Sequence, residues 1–324
     1  MKALRFSALA FLFSASLFAG EKMKFAFLAP DPINPVNAAI YNGIKDAFKE
    51  LENRYGKEFE VEYISANSDA ENQARQLGGA YIDGFMGAVI YPAGDVPELR
   101  AKIAEAAENG FMCAAIGQDL PNSKRFCYVG GDPEKFVEIL KSRIERLAGG
   151  KKLCASVYFK GSAPEEEIGL SDSKRISEFL GSLMPYESFK KIAGPLNPKI
   201  VVVDYYSVYA AANSVEILRR DDFCEIFFSP YLFSDMAPVK PDGDRVFAIC
   251  VGAVPQLEKY IASGQITACI YSDYYGWGYF AARALLEKTI DNSDPSVPVR
   301  LIPPLIATPA TVDSFIADWR KWIK

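Results

Sequence analysis

The sequence predicts an α/β protein with two Rossmann-like lobes, each a parallel sheet with helices on both faces. Its 324 residues are more than one small core needs and are enough for two lobes. Short apolar runs alternate along the chain with stretches of helical periodicity, which is the order of a parallel sheet with crossover helices. The same alternation starts again after Gly149 and Gly150, so two similar halves follow one another.

The first strand–helix unit has the strongest local signals. Residues 25–29 are an apolar run that predicts a buried strand, and apolar residues then recur at helical spacing from Val36 to Leu51. Asn34 suits the N-cap of this helix, and Pro35 suits its first turn. In open α/β sheets ligands bind at such strand–helix loops, although any strand–helix corner has the same form.

The rest of the first half continues this alternation. Its predicted strands are 59–64, 87–91, 111–116 and 126–129, and its predicted helices are 69–82 and 97–109.

The second half repeats the pattern over the remaining residues. Its predicted helices are 134–147, 171–183, 210–218, 254–262, 276–286 and 311–322, and its predicted strands are 152–159, 199–204, 225–229, 245–251, 266–270 and an extended 299–302. The acidic run Glu165–Glu167 is predicted to be a solvated segment. It lacks the alternating oxygen ligands and central glycine of a calcium loop.

Composition excludes several classes of function. The net charge of −5 argues against a nucleic-acid-binding surface. The chain has no histidine, which removes the commonest general base and zinc ligand and every Ser–His or Cys–His nucleophile. No Gly-x-Ser-x-Gly turn and no metal-ligand spacing are present, so we predict no catalytic residues, no metal and no cofactor.

Residues 1–20 have the features of a secretory signal peptide. Lys2 and Arg5 precede an apolar segment from Phe6 to Phe18, and Ala19 is a small residue at the predicted cleavage site. A membrane anchor is the alternative, but the apolar segment is short for a span and polar residues follow. The mature protein is therefore expected to be exported and soluble.

The six cysteines all follow this segment, where export permits disulfides. They are Cys113, Cys127, Cys154, Cys224, Cys250 and Cys269. Each lies in or beside an apolar run, so buried free thiols explain them equally well. The predicted sheets place Cys113 near Cys127 and Cys154 near Cys224 on neighbouring strands, but the sequence does not determine the pairing.

Several strings, in their order along the chain, match a known family. They are Ile33-Asn34-Pro35 before a helix containing Asn42-Gly43, residues 89–95 (VIYPAGD), residues 174–179 (KRISEF), residues 203–206 (VDYY) and residues 263–268 (SGQITA). Over residues 23–324 the chain resembles the sugar-type periplasmic solute-binding proteins, a type I group that includes ribose-binding protein.

The resemblance implies two lobes that close on a small ligand and are joined by three chain crossings. It places the crossings near residues 127–130, 251–253 and 298–301. One lobe would comprise residues 23–127 and 253–298, and the other 128–252 and 299–324. Closure of the lobes would bury the ligand from both sides.

The resemblance also implies ligand-binding residues. The family's asparagine before the first helix falls on Asn34, and its sugar-binding arginine falls on Arg175. Its second-lobe aromatic falls on Tyr205. The asparagine that follows its third strand falls on Tyr91, which changes the side chain.

Other family contacts are lost in this sequence. The aromatic pair of the first loop falls on Val36 and Asn37, and the Asp–Arg pair after the fourth strand falls on Gly117 and Gln118. The hinge-side asparagine, aspartate and glutamine fall on Pro230, Gly252 and Ser272. The aspartate usually accepts sugar hydroxyls, which Gly252 cannot do, so ribose is not the expected ligand.

Tyrosines at predicted loop positions offer a flat apolar face and a hydroxyl, and they suit a sugar ring or a quaternary amine. Packing in the core is the alternative for each of them. Asp95 and Asp273 are expected either to accept ligand hydroxyls or to cap the helices that follow. The predicted ligand-binding residues are Asn34, Asn37, Tyr91, Gln118, Arg175, Tyr205, Tyr206, Tyr231, Ser272 and Asp273.

The function expected from these features is that of a monomeric periplasmic protein that binds a small polar ligand, a sugar or a sugar-like solute, and presents it to an ABC permease of the inner membrane. The alternative is a ligand sensor for a membrane histidine kinase or chemoreceptor, with a furanosyl signal or an amine or amine oxide as ligand. An exported glycoside-processing enzyme is a third hypothesis, although no carboxylate pair stands out. The leader replaces the helix-turn-helix that a related repressor would carry.

Overall fold

Two sheets form the framework of the protein in the computed structural model. The structure describes residues 22–148, 152–159, 166–168, 173, 186–194, 199–204, 223–228, 248–264 and 266–324. The predicted leader and the predicted helices 171–183 (except residue 173) and 210–218 lie outside these residues. Within the described part, no helix has both the length and the apolar character that crossing a bilayer requires.

The first sheet is wholly parallel and has six strands, β1 (Met23–Ala29), β2 (Phe59–Ser65), β3 (Gly87–Ile90), β4 (Met112–Ile116), β5 (Cys127–Gly131) and β12 (Val299–Ile302). Their order is β12-β5-β4-β3-β1-β2. Helices α1 (Pro35–Tyr55), α2 (Ala70–Ile82) and α3 (Pro97–Glu108) connect the first four strands. This confirms the predicted α/β architecture with a parallel sheet flanked by helices.

The second sheet contains strands β6 (Lys152–Phe159), β7 (Glu166–Ile168), β8 (Lys199–Asp204), β9 (Phe223–Phe228), β10 (Ala248–Val251), β11 (Ala268–Tyr271) and β13 (Leu305–Ala307), in the order β13-β11-β10-β9-β6-β8-β7. Only the edge strands β13 and β7 run antiparallel to their neighbours. Among the described residues, the helices of this half and of the connections are α4 (Pro133–Ala148), α5 (Tyr186–Ala193), α6 (Glu258–Ala262), α7 (Tyr274–Asp291) and α8 (Val312–Trp322).

Part of the acidic run forms a strand. Glu166–Ile168 pairs with β8, with Glu166 opposite Val202, and the solvated character of the run stays a prediction. An edge strand has one unpaired side, and charged residues are common there because they oppose further strand addition.

Sheet membership moves two of the expected chain crossings. The resemblance places residues 253–298 in the first lobe, but β11 pairs with β10 in the second sheet, and the chain leaves that sheet at Ser272 and Asp273. Likewise β12 pairs with β5 in the first sheet, and the chain crosses to β13 through Pro303 and Pro304. The sequence of a short apolar strand does not indicate which sheet the strand pairs with. The outline of the two lobes stays a prediction.

Helices α1 and α7 pack with unusually close backbones. A Cβ atom on Gly43 of α1 would lie within 3.0 Å of the Tyr275 carbonyl oxygen, and one on Gly278 of α7 within 3.0 Å of the Ile40 carbonyl oxygen. Each glycine therefore faces backbone of the opposite helix. Around this crossing, the Tyr275 hydroxyl donates to Asp46 at 2.9 Å. The starts of α1 and α7 are thereby held at a fixed separation.

Helix α8 covers the segment that leaves the second sheet. Its Phe315 ring is edge-on to Tyr271 at 5.2 Å, and its Trp319 ring packs on Tyr274 at 6.0 Å. At its end, the Trp322 carbonyl accepts a hydrogen bond of 2.8 Å from the Asn42 side chain of α1. One helix thus contacts the last residue of β11, the first of α7 and the middle of α1.

Cys113, Cys127 and Cys269 are buried free thiols. Cys113 and Cys127 do lie on the neighbouring strands β4 and β5, but the register pairs Ala114 with Cys127. Because side chains alternate along a strand, the two sulfurs point to opposite faces of the sheet, and they belong to different core clusters. In the second sheet, the backbone register pairs Leu153, and not Cys154, with Cys224.

Candidate functional site

The candidate site lies at the carboxyl edge of the first sheet. Parallel strands all end at this edge, so the loops after β1, β3, β4 and β5 lie beside each other. The segment that leaves β11 joins them at Ser272 and Asp273. The site therefore combines loops from both halves of the chain.

The loop between β1 and α1 is fastened by two asparagines that were predicted to bind ligand. Asn34 is the N-cap of α1, and its side-chain oxygen accepts from the Asn37 backbone N–H at 2.9 Å. Asn37 is 1% exposed, and its amide donates to the carbonyls of Asp31 and Pro32 at 3.3 and 3.4 Å. Ile33, at the tip of this loop, is 63% exposed. The described role of both asparagines is to shape the loop, and ligand contact remains a prediction.

A buried glutamine holds the loop after β3. Gln73 of α2 is fully buried, and its amide nitrogen donates to the carbonyls of Leu28 and Tyr91 at 3.2 and 2.9 Å. Its side-chain oxygen accepts from the Ala93 backbone N–H at 2.9 Å. One side chain thus fixes the last residues of β1 and the loop that carries Tyr91. Because every polar atom is satisfied, this burial is not penalised.

Two aromatic rings close over Gly117 at the end of β4. Gly117 has φ +70°, and a Cβ atom there would lie 2.7 Å from the Tyr91 ring and 3.0 Å from the Trp277 ring. Tyr91 and Trp277 are themselves edge-to-face, with centroids 6.2 Å apart. The resemblance expects an aspartate at the position of Gly117. In this protein, the Gly117 backbone lies there instead, in contact with the Tyr91 and Trp277 rings.

A cavity of about 40 Å³ lies beside these rings and is open to solvent. Its lining residues are Gly117, Gly131, Asp132, Pro133, Phe136, Ser272, Trp277 and Pro304. Asp132, Pro133 and Phe136 lie at the start of α4, which packs against β9 of the second sheet. Elements of both sheets thus enclose one space, as a ligand cleft between lobes requires.

The charged and polar groups around the cavity are acids and hydroxyls. Asp132 caps α4, with its Oδ1 accepting from the backbone N–H groups of Glu134 and Lys135, both at 3.0 Å. Asp273 caps α7 by accepting from Gly276 N–H at 2.7 Å. Burial raises the pKa of Asp273, and the negative charge of Asp318 acts in the same direction. No lysine or arginine is among the described residues that line the cavity.

Only some of the residues predicted to bind ligand lie at the cavity. Tyr91, Ser272 and Asp273 lie at the cavity or next to it, and Asp273 fulfils the expected capping role. Gln118 is half-buried and follows Gly117 directly. Asp95 forms a two-pronged ion pair with Arg100, at 2.5 and 2.6 Å, and does not cap α3. Four predicted residues lie outside the described part of the chain, namely Arg175, Tyr205, Tyr206 and Tyr231.

Sequence reasoning missed Trp277, Phe136 and Asp132. Trp277 lies in the first turn of α7 and Phe136 in that of α4, where an apolar residue is equally typical of core packing. Asp132 carried a usable signal, since Gly131-Asp132-Pro133 is a helix start like Asn34-Pro35. Among the described residues, no group of His, Cys, Asp or Glu has the arrangement of a metal site.

A family model described as a periplasmic binding protein domain matches residues 25–290. No curated protein sequence gives a significant match.

Solved structures give similarity over most of the chain. A glucose-galactose binding protein from Geobacillus stearothermophilus, GanP, is 20% identical with a TM-score of 0.63, covering 90% of this chain and 98% of its own. A galactofuranose binding protein is 14% identical with a TM-score of 0.70, covering 93% and 100%. The XylFII-LytSN complex is matched at 20% identity and a TM-score of 0.66, covering 90% and 99%. At these identities the similarity establishes the shared fold.

Proposed function

Because the chain belongs to the periplasmic binding protein family, whose model matches residues 25–290, we propose that it captures a small sugar or sugar-like solute in the cleft between its two lobes. The observation that carries this proposal is the cavity lined by Gly117 and Trp277 on one side and by Asp132 and Phe136 on the other. A solute held there would contact both halves at once and would favour their closed arrangement.

The cavity's chemistry supports an uncharged, oxygen-rich solute. The rings of Trp277 and Phe136 offer apolar faces for the C–H side of a sugar, while Ser272 and Asp132 offer hydrogen-bonding groups for hydroxyls. An anionic solute is disfavoured by Asp132 in the described lining and by the nearby Asp273. The exposed Ile33 at the loop tip gains a buried environment if the lobes close.

Delivery to an ABC permease is the role that we infer for the loaded protein. The second candidate is a sensor of the same solute, read by a membrane histidine kinase or a chemoreceptor. It is favoured by the match to XylFII, which is solved as a complex with LytSN. Catalysis is not part of the proposal, since the chain contains no histidine and its family consists of binding proteins. The family and the predicted leader both support a periplasmic location.

Thermal unfolding of residues 22–324 against a panel of solutes tests the proposal. The panel contains pentoses, hexoses, furanoses, myo-inositol, nucleosides and tetramethylammonium. A bound solute at about one hundred times its dissociation constant adds about 2.7 kcal/mol to the free energy of unfolding. A shift with a sugar or polyol supports the proposal. A folded protein that no sugar or polyol stabilises contradicts it.

A pair of arginine variants tests the predicted position of the site. Arg175→Ala should weaken solute binding at unchanged stability, because a guanidinium commonly forms paired hydrogen bonds to ligand oxygens. Arg54→Ala is the matched control, since Arg54 forms a surface ion pair with Glu287 at 3.3 Å and is remote from the cleft. Equal affinities of the two variants would argue against a role for Arg175.

Uptake of the identified solute in a deletion strain separates the two roles. Loss of uptake supports delivery to a permease. Normal uptake with loss of a solute-dependent transcriptional response supports the sensor.

A further inference from the structure

Trp277 lies where helix α7 meets the cavity. It lies in the first turn of α7, is 6% exposed, and lines the cavity together with Gly131 and Ser272. Its ring is held between Tyr91 at 6.2 Å and Tyr274 at 5.2 Å, both edge-to-face. These contacts fix the plane of the indole before any solute binds, so the ring is preorganised.

The indole N–H of Trp277 has no hydrogen-bond partner among the described residues. A buried donor without a partner is unfavourable, and an acceptor that enters beside it removes that cost. Trp319 of α8 also has an unpartnered indole N–H, but it does not line the cavity. Trp277 lines the cavity and Trp319 does not, so the chain contains an internal comparison between two residues with the same unsatisfied donor.

We propose that the indole N–H of Trp277 donates a hydrogen bond to an oxygen of the captured solute and thereby selects hydroxyl- or ether-bearing solutes over quaternary ammonium ions. This inference rests on the proposed function of the same cavity. A quaternary ammonium has no acceptor, so its binding would leave the N–H unsatisfied even if the aromatic faces attract its charge. A sugar or polyol satisfies the donor and packs against the same ring.

Indole ¹⁵N–¹H spectroscopy observes the donor directly. The chain has three tryptophans and therefore three indole signals, and the signal that disappears in Trp277→Phe belongs to Trp277. We expect this signal to move downfield when the panel sugar or polyol with the largest thermal shift is added, while the Trp319 signal keeps its position. A Trp277 signal that stays in place on saturation with that solute overturns the proposal.

Replacing Trp277 by 3-benzothienylalanine changes the N–H to sulfur and keeps the shape of the ring. We expect the affinity for the sugar or polyol to fall about tenfold, which corresponds to about 1.4 kcal/mol. The same replacement at Trp319 is the control and should leave the affinity unchanged. Equal affinities for the wild type and the Trp277 replacement refute the hydrogen bond.

Tetramethylammonium, which has no oxygen, distinguishes the alternative ligand class. Stabilisation by tetramethylammonium, with no response to sugars or polyols, overturns both the proposed function and this inference. Sugar binding without any effect at Trp277 overturns only the inference, so the two failures are distinguishable.

Discussion

Gly43→Ala is the most informative perturbation of the framework, because it adds one methyl group at the crossing of α1 and α7. The added Cβ would lie within 3.0 Å of the Tyr275 carbonyl oxygen and 3.0 Å from the Tyr279 nitrogen. Both atoms are backbone, so no side-chain rotation relieves the overlap. The two helices must move apart until the contact reaches the ordinary range, which begins at 3.4 Å.

Two opposing effects determine how much Gly43→Ala changes the free energy of unfolding. Overpacking in a closely packed interior costs about 1 to 3 kcal/mol, and a clash with rigid backbone belongs at the upper end. Replacing a glycine by alanine inside a helix stabilises the helix by about 1 kcal/mol, because alanine has the higher helix propensity. We therefore expect Gly43→Ala to lower the free energy of unfolding by about 2 kcal/mol. Gly79→Ala is the matched control, because Gly79 is also helical but nothing packs within 4 Å of the point where its added methyl group would lie.

Urea unfolding of both variants, followed by circular dichroism, measures the difference. Gly79→Ala should be neutral or up to about 1 kcal/mol more stable than the wild type. The same displacement should weaken solute binding in Gly43→Ala, because the crossing sets the separation of Asn34 from Trp277. If Gly43→Ala matches Gly79→Ala in stability, the close crossing of α1 and α7 is refuted.

Three further predictions concern single groups. Gln73→Met should lower the free energy of unfolding by about 2 kcal/mol, because the part-buried Ala93 N–H loses its acceptor and the carbonyls of Leu28 and Tyr91 lose their donor. Gln76→Met removes one hydrogen bond to Ser65 and should cost less in the same urea titration, and the reverse order would contradict the role given to Gln73. Burial raises the pKa of Asp273, so the folded protein binds this proton more tightly than the unfolded chain, and the stability that it contributes is lost as the pH rises from about 3.8 through the folded pKa. Asp273→Asn keeps a capping oxygen and should remove that loss. An unchanged slope of stability against pH in this variant would argue against the prediction. Burial also raises the pKa of the Cys127 thiol to about 12, and it raises the pKa of the Cys113 thiol as well. Both thiols should therefore resist a thiol reagent until urea unfolds the protein. Rapid labelling of either cysteine in the native state would disprove its burial.

Local features around the first sheet were predictable from the sequence because their causes are local. Asn34 and Pro35 begin α1 as predicted, since a cap depends only on the next few residues. Asp273 likewise caps α7. The alternation of strands and helices follows from periodicity and predicts the parallel sheet without further information.

Features that depend on distant residues were not predictable in the same way. The strand Ala268–Tyr271 was expected, but its partner β10 is chosen by the packing of the whole chain. The opposite faces of Cys113 and Cys127 follow from a one-residue register that the sequence does not reveal. Trp277 was missed because an aromatic residue in a first helical turn has no local sign that separates a cavity wall from a core.

The position of the last two strands has a consequence for biosynthesis. Strand β12 forms one edge of the first sheet and β13 one edge of the second, and both come from residues 299–307. Neither sheet therefore has all its strands until residues 299–307 have been synthesised, and one short segment completes both sheets.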